Sequence, residues 1–478
     1  MIKWLFILSV ISIAFSDFFS LLPLGEMQHE LSSYVFIFTI MITFSHYIFF
    51  GSRKNNTPVY GLKPISIILL SIIILSCILN LPSIIGVDFR GRNALNKFFT
   101  SSMVVVYGIA IAYLSYYAAR KYSVKDLVIR PTTWAIIINI VVVAIEVASW
   151  NNSAADKILD FISIFIHTGS QSEVTGSFVG GAFGWGKLAG RAEGTAFEPP
   201  ALANYLGFAW VWLYAGYLES KRYKKVFYSF LMIATAIIPI VASNSRTGLL
   251  LIIGNIISLI LLKYFYLPAK PLKMQMVRIW LSSTLIALIA MTVGFIIYNN
   301  DAVVEAILKS DNLSNVARYA SNITGYRMFN ISPIYGLGFG QYGFYVRRLM
   351  PDWGYQSWEI SSWLQDPMVV WPPVFSMYAR FAGELGILGL GFWIILWLFL
   401  ADRIIKTTII YQKATGILPN IARPLAMGCY AILFSGIPSD SLHNPFIWIT
   451  LGLSCHYIYD IKMRISAIAH ESDIKSIS

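Results

Sequence analysis

The sequence predicts an all-α polytopic membrane protein with about twelve transmembrane helices, both termini inside, and a large, partly helical outer loop between helices nine and ten. Three observations predict it: 57% of the 478 residues are hydrophobic, only 13% are charged, and apolar runs of spanning length recur along the whole chain. An ordinary globular chain is about 45–50% apolar and about 25% charged. No folded surface could solvate so much Ile, Leu, Phe and Trp, which excludes a disordered chain, a secreted disulfide scaffold and a soluble nucleic-acid binder. The net charge of +12 therefore needs a membrane explanation.

A helix needs about 20 apolar residues to cross the hydrocarbon core. The qualifying stretches are 4–22, 31–50, 65–85, 102–119, 132–150, 201–218, 226–242, 248–267, 279–298, 381–400, 424–437 and 445–459. The first, with Lys3 and Ala14-Phe15-Ser16 ahead of Asp17, has the look of a cleavable signal peptide. Its apolar stretch continues to Leu24, however, and is long enough to span. The eleventh is short and contains Gly428. Cys77, Cys429 and Cys455 lie in or beside apolar runs, with no partner at metal or redox spacing, and read as packing residues.

Alternate connections are basic: Arg53, Lys54 and Lys63; Arg120, Lys121, Lys125 and Arg130; Lys221, Arg222, Lys224 and Lys225; Lys263, Lys270, Lys273 and Arg278; Arg403, Lys406, Lys413 and Arg423. Cytoplasmic segments retain Lys and Arg, so these connections face inward and the +12 is a positive-inside signature. The chain reads as one membrane domain, 1–478, whose outer connections are 151–200, the large loop 299–373, and the turns 243–247 and 438–444. The inner loops are short, leaving no room for a nucleotide domain, which argues against an ATP-driven pump or a sugar-nucleotide-dependent synthase. No internal repeat supports a transporter built from paired halves. The glycines from Gly176 to Gly194 and the run Gly336-x-Gly338-x-Gly340 lack the βαβ setting of a nucleotide site and read as turning loops.

Candidate functional residues lie at outer span ends. Arg191 precedes the sixth span, where it either meets lipid headgroups or serves a site. Arg246, in Ser243-Asn244-Ser245-Arg246-Thr247, opens the eighth span, and a cation there opposes the helix dipole by about 0.3–1 kcal/mol. An anion held by backbone N–H groups and the guanidinium would reverse that cost; a lipid headgroup is the alternative. The stretch 312–329 has helical spacing and carries Arg318 and Arg327, which a regular helix puts on opposite faces. Candidate bases are Glu198, Asp440 and His443, the last placed to cap the final span. Glu198 reads equally as the partner of Arg191, and His443 equally as an interfacial histidine. Glu146 and Glu384 are membrane-embedded acids, expected to be functional or paired. Trp353, Tyr355, Trp358, Trp363 and Trp371 suit either sugar stacking or an interfacial aromatic belt.

Arg191-x-x-Gly194-Thr195 before a span, Ser243-x-Ser245-Arg246-Thr247-Gly248 at an outer turn, Ser314-x-x-x-Arg318 ahead of Pro333-Ile334-Tyr335-Gly336-x-Gly338-x-Gly340, and Glu384-x-Gly386-Ile387-x-Gly389 occur in that order. This arrangement resembles the O-antigen polymerase and ligase superfamily of bacterial inner membranes. The resemblance implies an enzyme, a glycosyltransferase that inverts the anomeric centre without a metal or other cofactor at the periplasmic face. Its donor and acceptor would be undecaprenyl-diphosphate-linked glycans. Membrane lipids and a chain-length regulator would be further partners, and nucleic acid would not. Arg191, Arg246, Arg318 and Arg327 would bind the diphosphate, and His443 or Glu198 would take the acceptor proton. Many members carry a His-Asn pair shortly before the Glu-x-Gly segment, where this chain has Trp371-Pro372-Pro373 and Ser376-Met377-Tyr378. Ligases rely on a histidine in the large loop, and 299–373 contains none, which favours a Wzy-type polymerase of O-antigen or a related polysaccharide over a ligase to lipid A core. Ala196 interrupts the family's Gly-Thr-Phe and leaves the register of Glu198 open. A lipid-linked oligosaccharide flippase is the reading from another class.

Overall fold

The computed structural model describes residues 1–18, 21, 22, 24, 27–50, 61–167, 190–265, 313–365 and 371–477. The predicted ninth span and the glycines from Gly176 to Gly186 lie outside these residues. Among the described residues, the apolar runs fold as α1 (Ile2–Ser12), α2 (Leu31–Phe50), α3 (Leu62–Leu79), α4 (Ala94–Lys121) and α5 (Arg130–Ser149). An additional α6 (Ser153–Ile166) follows, and then α7 (Pro199–Glu219), α8 (Arg222–Ile237) and α9 (Arg246–Phe265). The outer region contributes α10 (Leu313–Ile331), α11 (Tyr342–Leu349) and α12 (Trp358–Gln365), and the chain ends in α13 (Met377–Thr415), α14 (Ala422–Ser435) and α15 (Pro445–Ile477). Among the described residues, five helical segments are long and apolar enough to cross a membrane: Leu62–Leu79, Ala94–Lys121, Lys125–Ser149, Arg222–Ala242 and Met377–Thr415. The one described sheet is a hairpin pairing Asp88–Phe89 with Arg92–Asn93.

Small residues let the helices approach closely, as packing within a bilayer requires. A Cβ on Gly452 would sit 2.2 Å from Ala112 O, and one on Gly108 would meet the Trp448 ring at 2.0 Å, so α4 and α15 lie almost backbone to backbone. Central α7 is buried along nearly its whole length, and the Asn255 amide of α9 donates to Gly207 O at 2.8 Å.

The first stretch departs from its expected span 4–22. Helix α1 stops at Ser12, and the chain turns back so that Phe18 N donates to His29 O (2.7 Å) and Leu31 N to Phe15 O (3.2 Å). The reason lies in polar residues with distant partners. Asp17 is buried against His167, and the Thr195 hydroxyl donates to Ala14 O. A continued helix would pull these groups apart.

In α13 the backbone leaves the helix at Gly386 (φ 64°, ψ −159°), freeing backbone groups that a membrane interior cannot solvate. The segment from Pro333 to Gly338 supplies their partners. Leu337 N and Gly338 N donate to Gly383 O (2.9 Å) and Glu384 O (3.1 Å), while Ile387 N and Leu388 N donate to Pro333 O (2.8 Å) and Ile334 O (3.3 Å). The fit tolerates no side chain: a Cβ on Gly336 would lie 2.3 Å from Glu384 C, and one on Gly386 2.4 Å from Ile334 C. Both glycines also hold positive φ. The Gly336 to Gly340 run is thus a backbone joint, in keeping with its reading as a turning loop. Gly386→Ala is expected to destabilise the fold by more than about 2 kcal/mol, read as a lower melting temperature and a smaller monodisperse yield in detergent. An unchanged yield and melting temperature would contradict the joint.

Glu384 serves the same joint. Its carboxylate accepts from Tyr342 N (3.1 Å) and pairs with Arg380 Nε (3.4 Å), whose Nη1 donates to Asp440 O (3.0 Å). Both members of the Arg380–Glu384 pair are buried, so the expected pairing of this acid is met within its own helix and across to 438–444.

Candidate active site

The site begins with two loops that backbone hydrogen bonds tie together. Ala192 N donates to Ala242 O (2.8 Å), and Arg191 Nε donates to Ser243 O (2.9 Å). The second loop is shaped by a wide helical turn, Ile238–Ala242, closed by Ser243 N to Ile238 O (2.9 Å) and Ser245 N to Pro239 O (2.8 Å). Gly248 completes the join, since a Cβ there would meet Pro239 Cβ at 2.4 Å and Ala203 Cβ at 2.8 Å. Arg246 is therefore the first residue of α9, beside Arg191 in the same joined pair of loops. The Arg246 side chain lies outside the described part of the structure. The Ser243 hydroxyl is buried and has no hydrogen-bond partner among the described residues.

Glu146 and Asn139 of α5 hold the Arg191 loop from below. The Glu146 carboxylate accepts from Glu193 N (3.0 and 3.1 Å to its two oxygens) and Gly194 N (2.9 Å), and Asn139 Oδ1 accepts from Thr195 N (3.3 Å) and the Thr195 hydroxyl (2.9 Å). Glu146 is thus paired with backbone, one of the two roles expected of it. Ala196 is buried, Phe197 is exposed, and Glu198 is the N-cap residue of α7, its own carbonyl accepting from Ala201 N and Leu202 N.

Arg318 meets this assembly from α10. Its guanidinium lies over the Phe375 ring, 5.2 Å from the centroid, and its Nε is buried without a hydrogen-bond partner among the described residues. Phe375 holds φ of 62°, a strained conformation for a bulky residue, and packs on Trp363 at 5.7 Å. Trp363 stands four residues after Glu359 on α12, so the two share a helix face and Glu359 is directed toward Arg318. The Glu359 carboxylate bonds the Ser314 hydroxyl and feels Arg318. Arg191, Glu198, Arg318 and Glu359 thus form one electrostatic group drawn from three segments.

Their protonation follows from burial and from one another. Burial pushes the Glu198 carboxyl above the usual range, Arg318 and Arg191 hold the rise in check, and Glu359 adds to it. Burial likewise raises Glu359, against the Ser314 hydroxyl bond and the Arg318 charge. Arg191 is drawn down by burial first and by the like charge of Arg318 second, with Glu198 and Glu193 opposing. Two guanidiniums that repel one another and two buried carboxyls of raised basicity thus act on one another's charge.

The remaining candidates lie elsewhere. Arg327 is exposed and donates from Nη1 to Leu349 O (2.9 Å), where its charge meets the C-terminal end of α11. His443 Nε2 lies 3.0 Å from Glu30 Oε1. Asn444, rather than His443, caps the last helix, its Oδ1 accepting from Phe446 N at 3.0 Å, because its shorter side chain can curl back to that amide. Asp440 accepts from Val374 N (3.2 Å), tying 438–444 to the segment that carries Phe375. Sequence reasoning passed over Glu359 and Phe375. Glu359 had one available signal, an acid beside Trp358 within the aromatic loop; Phe375 had none. Among the described residues, no three His, Cys, Asp or Glu side chains converge in a way that would hold a metal ion.

No curated protein matches the chain. Residues 230–394 match a family model described as O-antigen ligase, a stretch that contains the Ser243–Arg246 turn, Arg318, Glu359, Phe375 and the joint between Gly336 and Gly386, with Arg191 and Glu198 ahead of it and His443 beyond it. That match, over about a third of the chain, supports the resemblance to the O-antigen polymerase and ligase superfamily that the ordered arginine and glycine motifs carry.

Proposed function

We propose that this protein is a Wzy-type polymerase: it extends O-antigen or a related surface polysaccharide by transferring a glycan from its undecaprenyl diphosphate to a lipid-linked repeat unit at the periplasmic face of the inner membrane. The observation that carries the reading is the gathering of Arg191, Arg318 and Glu198 beside the turn that begins at Ser243, with the Arg318 Nε and the Ser243 hydroxyl both buried and without a hydrogen-bond partner among the described residues. Such donors await an anion. In the reaction an acceptor hydroxyl oxygen attacks the anomeric carbon, the bond from that carbon to the phosphate oxygen breaks, and undecaprenyl diphosphate departs. Arg191, Arg246 and Arg318 stabilise the charge that develops on the leaving diphosphate. Attack opposite the leaving group inverts the anomeric centre.

The hydroxyl proton passes to Glu198, which stands beside the arginines and whose raised basicity suits the task. Glu198→Gln is expected to lower kcat by about 10²–10⁴-fold while leaving donor binding nearly intact, measured with purified protein and lipid-linked repeat units. Full activity in this variant would pass the role to His443, which His443→Ala then tests. The pH dependence carries a sign. Glu198 acts only when ionised, so activity falls as pH drops through its raised pKa. Because Glu359 contributes to that rise, Glu359→Gln should move the acid limb of the pH–rate profile to lower pH. An unmoved or upward-shifted limb would contradict the coupling.

A ligase is the second reading, favoured by the description of the matched family model. The large loop 299–373 contains no histidine, which supports the polymerase. A ladder of product lengths from lipid-linked repeat units alone separates the two, since a ligase would need a lipid A core acceptor.

A further inference from the structure

His167 ends α6, far in sequence from the arginines, yet it is among the most deeply buried titratable groups of the described chain. Its side chain is 1% exposed and that of its partner Asp17 is 7% exposed. His167 Nδ1 lies 2.7 Å from Asp17 Oδ2, and His167 Nε2 lies 3.0 Å from Gly194 O. A carbonyl only accepts, so Nε2 must carry a proton, and a second proton lies between Nδ1 and Asp17. With both protons kept, the pair as a whole is neutral, which is what makes its burial tolerable.

Gly194 is the centre of the loop that carries Arg191 and Glu198. Its carbonyl is held by His167 on one side, and its N–H is held by Glu146 on the other. The segment after α1 adds the Thr195 hydroxyl to Ala14 O (2.5 Å) and Ser16 N to Thr195 O (3.4 Å). Glu146 also feels the charge of His167. Gly194 holds φ of 61°, and a Cβ there would lie 3.0 Å from Asn139 Oδ1, so glycine is the residue that fits this point of the loop.

We infer that His167, oriented by Asp17, is the positioning residue of the arginine-bearing loop, fixing Arg191 and Glu198 for reaction by holding the Gly194 carbonyl. Its importance for turnover rests on the function proposed above; the clamp itself does not. A misplacement of about 1 Å at a reacting centre can cost about 10²-fold in rate.

The test compares variants that keep or lose one contact. His167→Gln retains an N–H donor at the reach of Nε2, whereas His167→Asn is too short to meet Gly194 O. Asp17→Asn can still donate to Nδ1, whereas Asp17→Ala cannot. In the full-length protein in nanodiscs, amide hydrogen exchange of peptides covering 190–198 is expected to quicken about tenfold in His167→Asn and Asp17→Ala and to stay near wild type in His167→Gln and Asp17→Asn. Turnover should follow the same division, with a loss of about 10²-fold in the first two. If His167→Asn fails to fold, the Asp17 pair gives the same contrast. Equal exchange in the contact-keeping and contact-losing variants would overturn the clamp. Quickened exchange with normal turnover would leave the clamp standing and overturn the functional reading of the loop.

Discussion

Arg318→Lys is expected to lose at least about 100-fold in polymer formed per protein, although it keeps the charge. The guanidinium lies over Phe375, 5.2 Å from the ring centroid, and its buried Nε has no hydrogen-bond partner among the described residues. Lysine offers a compact point charge, which neither stacks in that way nor binds two phosphate oxygens in parallel. Arg327→Ala provides the comparison on the same helix. Arg327 is exposed and bonded to Leu349 O, so its loss should cost stability by about 0.5–1.5 kcal/mol and leave turnover within a few-fold. Both variants are read by gel analysis of polymer at matched protein level in a deletion strain. Equal, complete loss in both would mean that Arg327 also reaches the substrate, and retained activity in Arg318→Lys would remove Arg318 from the diphosphate.

The second large effect is expected at Arg191. Arg191→Ala should weaken donor binding and turnover together, by about 10²–10³-fold in kcat/KM, because in the proposed reaction the guanidinium that joins two loops through Ser243 O also meets the leaving diphosphate. Arg191→Lys separates these roles. It keeps a charge near Glu198 but lacks the Nε donor to Ser243 O, so it should recover only a small part of the loss. Normal kcat/KM in Arg191→Ala would remove this residue from the diphosphate.

The all-helical architecture was legible because apolar runs of spanning length recur along the chain; among the described residues five of the helices are long and apolar enough to cross a membrane, the first stretch stops short at Ser12, and the ninth lies outside the described residues. Regular spacing from Leu313 onward was likewise sufficient to separate Arg318 from Arg327, because a helix converts sequence distance into direction. What escaped was settled by long-range partners. The end of α1 at Ser12 depends on Asp17 finding a histidine 150 positions away. The break at Gly386 depends on a segment some fifty residues earlier that supplies the missing backbone partners. Glu359 was passed over, and only the packing of Trp363 on Phe375 turns its helix face toward Arg318. Glu146 was recognised as an acid needing a partner, but that partner is a pair of backbone N–H groups, which leave no trace in residue identities.

The most direct measurement reconstitutes the purified protein in vesicles with undecaprenyl-diphosphate-linked repeat units as the sole glycan and resolves the products by length. The account predicts a ladder of lengths from the wild type, released undecaprenyl diphosphate in proportion to the linkages formed, and neither from Arg318→Lys. Absence of any ladder from active wild-type protein, with transfer appearing only when a lipid A core acceptor is added, would contradict it.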